Sequence, residues 1–159
     1  MSAVTLERTR IRILKELLLQ GVAARVHARS LYAACSALYD AGRDWRTPEI
    51  LRGDLPGMPA TSRFLREVAA RLHRPGHALA RFLRRIENDE SRLRHMLTEL
   101  ALCFGNIGDE KAKAEFSAFW EEISPGGLPA NEVISMVAAG KQPPFPSPMP
   151  APQVSAVAP

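Results

Sequence analysis

Residues 78–104 read ALARFLRRIENDESRLRHMLTELALCF, and this stretch decides the fold. Leu79, Phe82, Leu83 and Ile86 recur at spacings of three and four. Leu93, Met96, Leu97, Leu100 and Phe104 resume the same rhythm. Such spacing places apolar side chains on one face of an α-helix, whereas a half-buried strand would alternate. Asn88-Asp89-Glu90 interrupts the stripe, and Asn and Asp favour helix caps over interiors. The segment therefore reads either as one long helix or as two, and the caps favour two.

Working outward, the same rhythm recurs on both sides. Toward the N-terminus a helix is expected over about 6–24, with Leu6, Ile11, Ile13, Leu14, Leu17 and Leu18 as its apolar positions and Gly21 as its end or soft spot. A second is expected over about 30–41, with Leu31, Ala34, Cys35, Leu38 and Tyr39 on one face and Gly42 as its left-handed stop. Thr47-Pro48 opens a short helix, since Thr caps free amides and Pro fits the first helical position. A turn-rich segment follows, then a helix over about 60–73 striped by Phe64, Leu65, Val68, Ala69 and Leu72. Pro75-Gly76 breaks the chain before residue 78. Toward the C-terminus, Gly105 and Gly108 close the region, and Asp109 caps a helix to about Ile123 carrying Phe116, Phe119 and Trp120. A last helix is expected over about 131–139. Residues 141–159 are Pro-rich and almost uncharged, a composition that builds neither helix nor sheet. The expectation is an all-α protein: one multi-helix domain over 1–140 and a disordered tail over 141–159.

Composition agrees. Apolar residues make up 46% of the 159, mostly Leu and Ala, which lose little side-chain freedom in a helix. The apolar run Leu17-Leu18-Leu19 is far too short to span a bilayer, so a soluble, cytoplasmic protein is expected. Cys35 and Cys103 lie in apolar helical stretches and read as buried free thiols. The 17 Arg against 4 Lys fit a GC-rich bacterial genome, or a need for phosphate recognition by the planar guanidinium.

The net charge of +4 conceals a segregation. Residues 7–29 and 60–95 are basic, with nine Arg in the second segment, while 96–123 carry six acids against two Lys. A basic face attracts polyanions through phosphate contacts and counterion release. The competing reading is internal neutralisation, with basic helices beside the acidic one or beside a partner's acidic face.

One segment has a functional pattern. Residues 47–73 can be read as helix, turn, helix, and in that design the N-terminal residues of the second helix reach base edges and phosphates in the major groove. Ser62, Arg63, Arg66 and Arg74 would lie outward, opposite the apolar stripe. Arg71, Arg81, Arg84 and Arg85, with Arg8, Arg10 and Arg12, would add phosphate contacts. The pattern departs from the motif in three ways: its connection is long, its leading helix is short, and no wing follows. His73 and His77 are four apart, but Pro75-Gly76 separates them, so no metal or cofactor is expected. No phosphate loop or nucleophile elbow is present in the sequence. The expected function is a non-enzymatic nucleic-acid-binding accessory protein or transcriptional regulator, with duplex DNA as partner. The alternative is a helical adaptor or homodimer that uses the apolar faces around Phe82-Ile86-Leu97 or Phe116-Trp120.

Overall fold

The computed structural model describes residues 2–44, 63 and 75–146. Among them the protein is all-α, with four helices and no strand. These are α1 (Ala3–Asp40), α2 (Pro75–Ile107), α3 (Glu110–Ile123) and α4 (Ala130–Ala138). No helix among the described residues is long and apolar enough to cross a membrane.

Two expectations are corrected. The helices expected over 6–24 and 30–41 are one continuous α1. It begins earlier because Ser2 Oγ accepts a hydrogen bond from the Thr5 amide at 3.1 Å and caps the first turn. It does not break at Gly21, because that glycine serves a helix contact. A Cβ built there would lie 2.2 Å from Leu93 Cδ2, so glycine lets α1 and α2 approach. Likewise, 75–107 is one helix and not two. Neither Asn88 nor Asp89 caps a new helix. Asn88 stays exposed within α2, while Asp89 and Glu90 are buried: Asp89 lies 3.8 Å from Arg92 of its own helix, and Glu90 pairs with Arg25 and Arg29 of α1. The stop at Gly42 is as expected, with φ of 70° and the Arg43 amide bonded to the Leu38 carbonyl at 2.8 Å.

The chain divides into two compact units, 16–96 and 1–15 with 97–159. In the first, α1 and α2 run antiparallel: Gly21 meets Leu93, the Tyr32 and Phe82 rings lie 6.0 Å apart, and Tyr39 meets Gly76. Ala24, Ala28, Cys35, Ala78, Leu79, Phe82 and Ile86 form the core, with Leu31, Tyr32 and Leu38 packed against it. Ala24, Ala28 and Cys35 are the buried α1 members of this core, and Leu79, Phe82 and Ile86 are its large α2 members.

In the second unit, Phe104 and Phe116 pack at 5.6 Å between ring centres. Trp120 is buried, and its indole N–H donates to the Leu128 carbonyl at 2.6 Å, so the ring's one polar atom is satisfied. Phe119 and Ile123 are buried beside it on α3, and Val133 and Val137 are the buried residues of α4. Asp109 caps α3 as expected, accepting from the Ala112 amide at 2.7 Å. Residues 141–146 are not helical, and Pro143 and Pro146 are buried. Residues 147–159 lie outside the described residues.

The apolar positions of α1 are only partly core. Ile11, Leu14 and Leu18 are buried, but Leu6, Ile13 and Leu17 are about half exposed, at 49%, 51% and 45%. Both cysteines are free and buried, as expected.

Candidate nucleic-acid interface

Arg81, Arg84, Arg85 and Asn88 follow one another on α2 at intervals of three, one and three residues. That spacing puts all four on one helical face. Together they line a surface recess of about 180 Å³. Arg81 and Arg84 are exposed and Arg85 is half-buried. Arg81 and Arg85 already have interactions of their own, Arg85 lying close enough to Asp89 to favour its charged form. Arg84 makes no ion pair among the described residues.

Of the remaining residues expected to touch nucleic acid, Arg63 is helical and exposed. Ser62, Arg66, Arg71 and Arg74, with the rest of the helix-turn-helix-like segment, lie outside the described residues.

The N-terminal basic cluster is largely spoken for. Arg8 donates to Glu115 of the acidic α3 at 2.5 Å, and Arg10 pairs with Glu7 at 3.6 Å. Internal neutralisation therefore accounts for part of the charge segregation. Further along α1, Arg25 and Arg29 converge on one carboxylate of α2. Arg25 Nε donates to Glu90 Oε2 at 2.5 Å, Arg29 Nε donates to the same oxygen at 3.0 Å, and Arg29 also donates to Oε1. Arg25 and Arg29 fall one turn apart, which lets both reach the same group.

These pairings set the protonation states. Burial pushes the Glu90 carboxyl up, but the hydrogen bonds from Arg29 and Arg25 pull it down further, and it ends below the usual carboxylate range. Its neighbour Asp89 goes the other way: burial raises it, and the charges of Arg85 and Arg92 only partly offset that. The same Glu90 bonds raise Arg29 against the opposing effect of burial. Burial raises both thiols to about 11, with a hydrogen bond to Glu7 adding to the effect at Cys103. A nucleophilic cysteine needs a lowered pKa, so both thiols stay protonated and inert at neutral pH.

A second feature was not anticipated from the sequence. Tyr32, Ser36, Tyr39 and Asp40 of α1 face Gly76, Leu79, Ala80, Leu83, Arg84 and Glu87 of α2 across a groove of about 430 Å³. The sequence pattern places Tyr39 on the apolar face with Cys35. Instead it is 44% exposed, at the groove's end. Its hydroxyl would sit 2.9 Å from a Cβ at Gly76, so the glycine leaves room for the phenol. The signal was legible in principle: Tyr32, Ser36, Tyr39 and Asp40 are spaced by four, three and one, a helical face of their own. Arg84 lines both the groove and the arginine recess.

No protein-family model matches this chain, and no curated protein or solved structure matches it either.

Proposed function

We propose that the protein is a non-enzymatic nucleic-acid-binding accessory protein or transcriptional regulator of the bacterial cytoplasm. The observation that supports this reading is the row Arg81, Arg84, Arg85 and Asn88 on one face of α2, with Arg84 exposed and in no ion pair among the described residues. Guanidinium groups on a rigid helix present planar pairs of donors to phosphate oxygens at fixed spacing, and Asn adds a donor for sugar or base. The exposed, helical Arg63 would belong to the same function, reading base edges together with Arg66 as the helix-turn-helix-like segment proposes. Duplex DNA is the form such a segment would read.

The test is fluorescence anisotropy with labelled duplex DNA over a range of salt. Affinity should fall steeply as salt rises, because each neutralised phosphate releases counterions. Arg84→Ala should weaken every sequence alike and reduce the salt slope by about one, whereas Arg63→Ala and Arg66→Ala should flatten sequence preference. No binding to any nucleic acid at low salt refutes the proposal.

A helical adaptor is the second reading; the faces expected to serve it, Phe82-Ile86-Leu97 and Phe116-Trp120, are buried in the core, and the half-exposed Leu6, Ile13 and Leu17 on α1 favour it in their place. A sizing column run in low and high salt distinguishes the two. Self-association that persists in high salt, with nucleic acid ignored, supports the adaptor.

A further inference from the structure

Resting on the nucleic-acid reading, we infer that the groove between Tyr39 and Arg84 receives the bases of an unpaired strand, while the adjoining arginine recess holds its phosphates.

The two features differ in charge as the two halves of a nucleotide do. The recess is lined by three arginines and an asparagine. The groove places Asp40 and Glu87 beside a hydroxyl, two tyrosines and an aliphatic wall of Leu79 and Leu83. A phosphate entering the groove would meet two carboxylates and be repelled. A base suits it: its flat face lies against tyrosine and leucine, and its amino and ring N–H groups donate to Asp40, Glu87 or Ser36. Arg84 lines both spaces, so one side chain marks the junction where sugar joins base to phosphate. The groove's volume, about 430 Å³, lies within the size of small-ligand clefts, roughly 300–1,000 Å³.

The choice of an unpaired strand follows from the tyrosines. In a duplex the base faces are already stacked on one another, and base edges are reached only through the grooves. Unpaired bases turn outward and stack on aromatic side chains, while a basic surface tracks the backbone. The tyrosine groove between α1 and α2 and the arginine recess on α2 make that combination, with Arg84 lining both. A simple polyanion would use the recess and leave the groove empty.

The experiment compares one labelled strand of about 20 nucleotides, longer than the roughly 4–16 that such sites cover, with the same sequence as a duplex. Both are titrated with the full chain at low salt. The single strand is expected to bind more tightly than the duplex. Tyr39→Ala should weaken the single strand roughly ten-fold, the loss of one stacked base, and leave the duplex unchanged. Tyr39→Phe, which keeps the ring, should restore binding. Arg84→Ala should weaken both forms. Tyr39 is 44% exposed, so its replacement does not open the core, and far-ultraviolet circular dichroism checks that each variant is folded. If both forms bind but Tyr39→Ala changes neither, or if the duplex binds more tightly, the groove inference is overturned and the nucleic-acid reading stands. If neither form binds, both fall together.

Discussion

Replacing Glu90 with Gln tests whether one carboxylate holds α1 against α2. Glu90 is 8% exposed and accepts three N–H bonds from Arg25 and Arg29. Removing one partner of a fully buried ion pair costs about 3–5 kcal/mol, because the other charge is stranded. Here the stranded groups are partly wet: the Arg25 and Arg29 side chains are 24% and 41% exposed, so water recovers part of the loss. Gln also keeps one acceptor oxygen in place. The expected cost is therefore about 2 kcal/mol, near the value of one or two hydrogen bonds to a charged group. In a chain of this length that lowers Tm by about 6 °C. Urea unfolding followed by circular dichroism gives the free energy directly. The pH dependence supplies the second half of the test. The folded Glu90 carboxyl sits below its unfolded value. Its stabilisation is thus complete above the ordinary carboxylate pKa and is lost as pH falls through the lowered folded value. The gap between wild type and Glu90→Gln should be widest at neutral pH and close in acid. Asp89 has the opposite sign. Its folded pKa is raised, so its charge costs stability above that value, and Asp89→Asn should be neutral or stabilising at pH 7. A Glu90→Gln variant within about 0.5 kcal/mol of wild type at neutral pH, the range of ordinary surface changes, would refute the reasoning, as would a gap that does not change with pH.

Two further substitutions probe the helices themselves. Gly21→Ala gains about 1 kcal/mol of helix propensity but drives a methyl into Leu93, and overpacking of that kind costs about 1–3 kcal/mol, so denaturant unfolding should show a net loss. In a Leu93→Ala background the same change should become stabilising; a loss of equal size in both backgrounds would show that Leu93 is not the obstacle. Asp109→Ala removes the cap on α3 and should cost about 1 kcal/mol, read as a lower urea midpoint, with Asp109→Asn recovering most of it; an unchanged midpoint for Asp109→Ala would remove the cap's assigned role.

Local chemistry was enough to mark the helical segments among the described residues, because helix formation depends on spacing and caps within a few residues. The Leu79-Phe82-Ile86 and Leu93-Leu97-Leu100 stripes, the Asp109 cap, the Gly42 stop and the Phe116-Trp120 face could all be read along the chain, and with them the all-α class. Which signals would be overridden could not be read. Gly21 and Asn88-Asp89-Glu90 look like breaks, yet the helices pass through both. Glycine is needed where Leu93 approaches, and Glu90 is needed where Arg25 and Arg29 converge from the other helix. Those partners are about 60 to 70 residues away in sequence, so no local rule contains them. The same holds for the candidate site. The arginine row of α2 is a matter of spacing and was visible in the sequence. Whether each arginine is already paired depends on what packs beside it: Arg8 is engaged by Glu115, and Arg84 makes no ion pair among the described residues. The tyrosine groove exists only because α1 and α2 lie antiparallel, bringing Tyr39 to Gly76 and Arg84. Residue order determined which faces the helices carry; only their packing decided which of those faces are core, which are neutralised and which remain open.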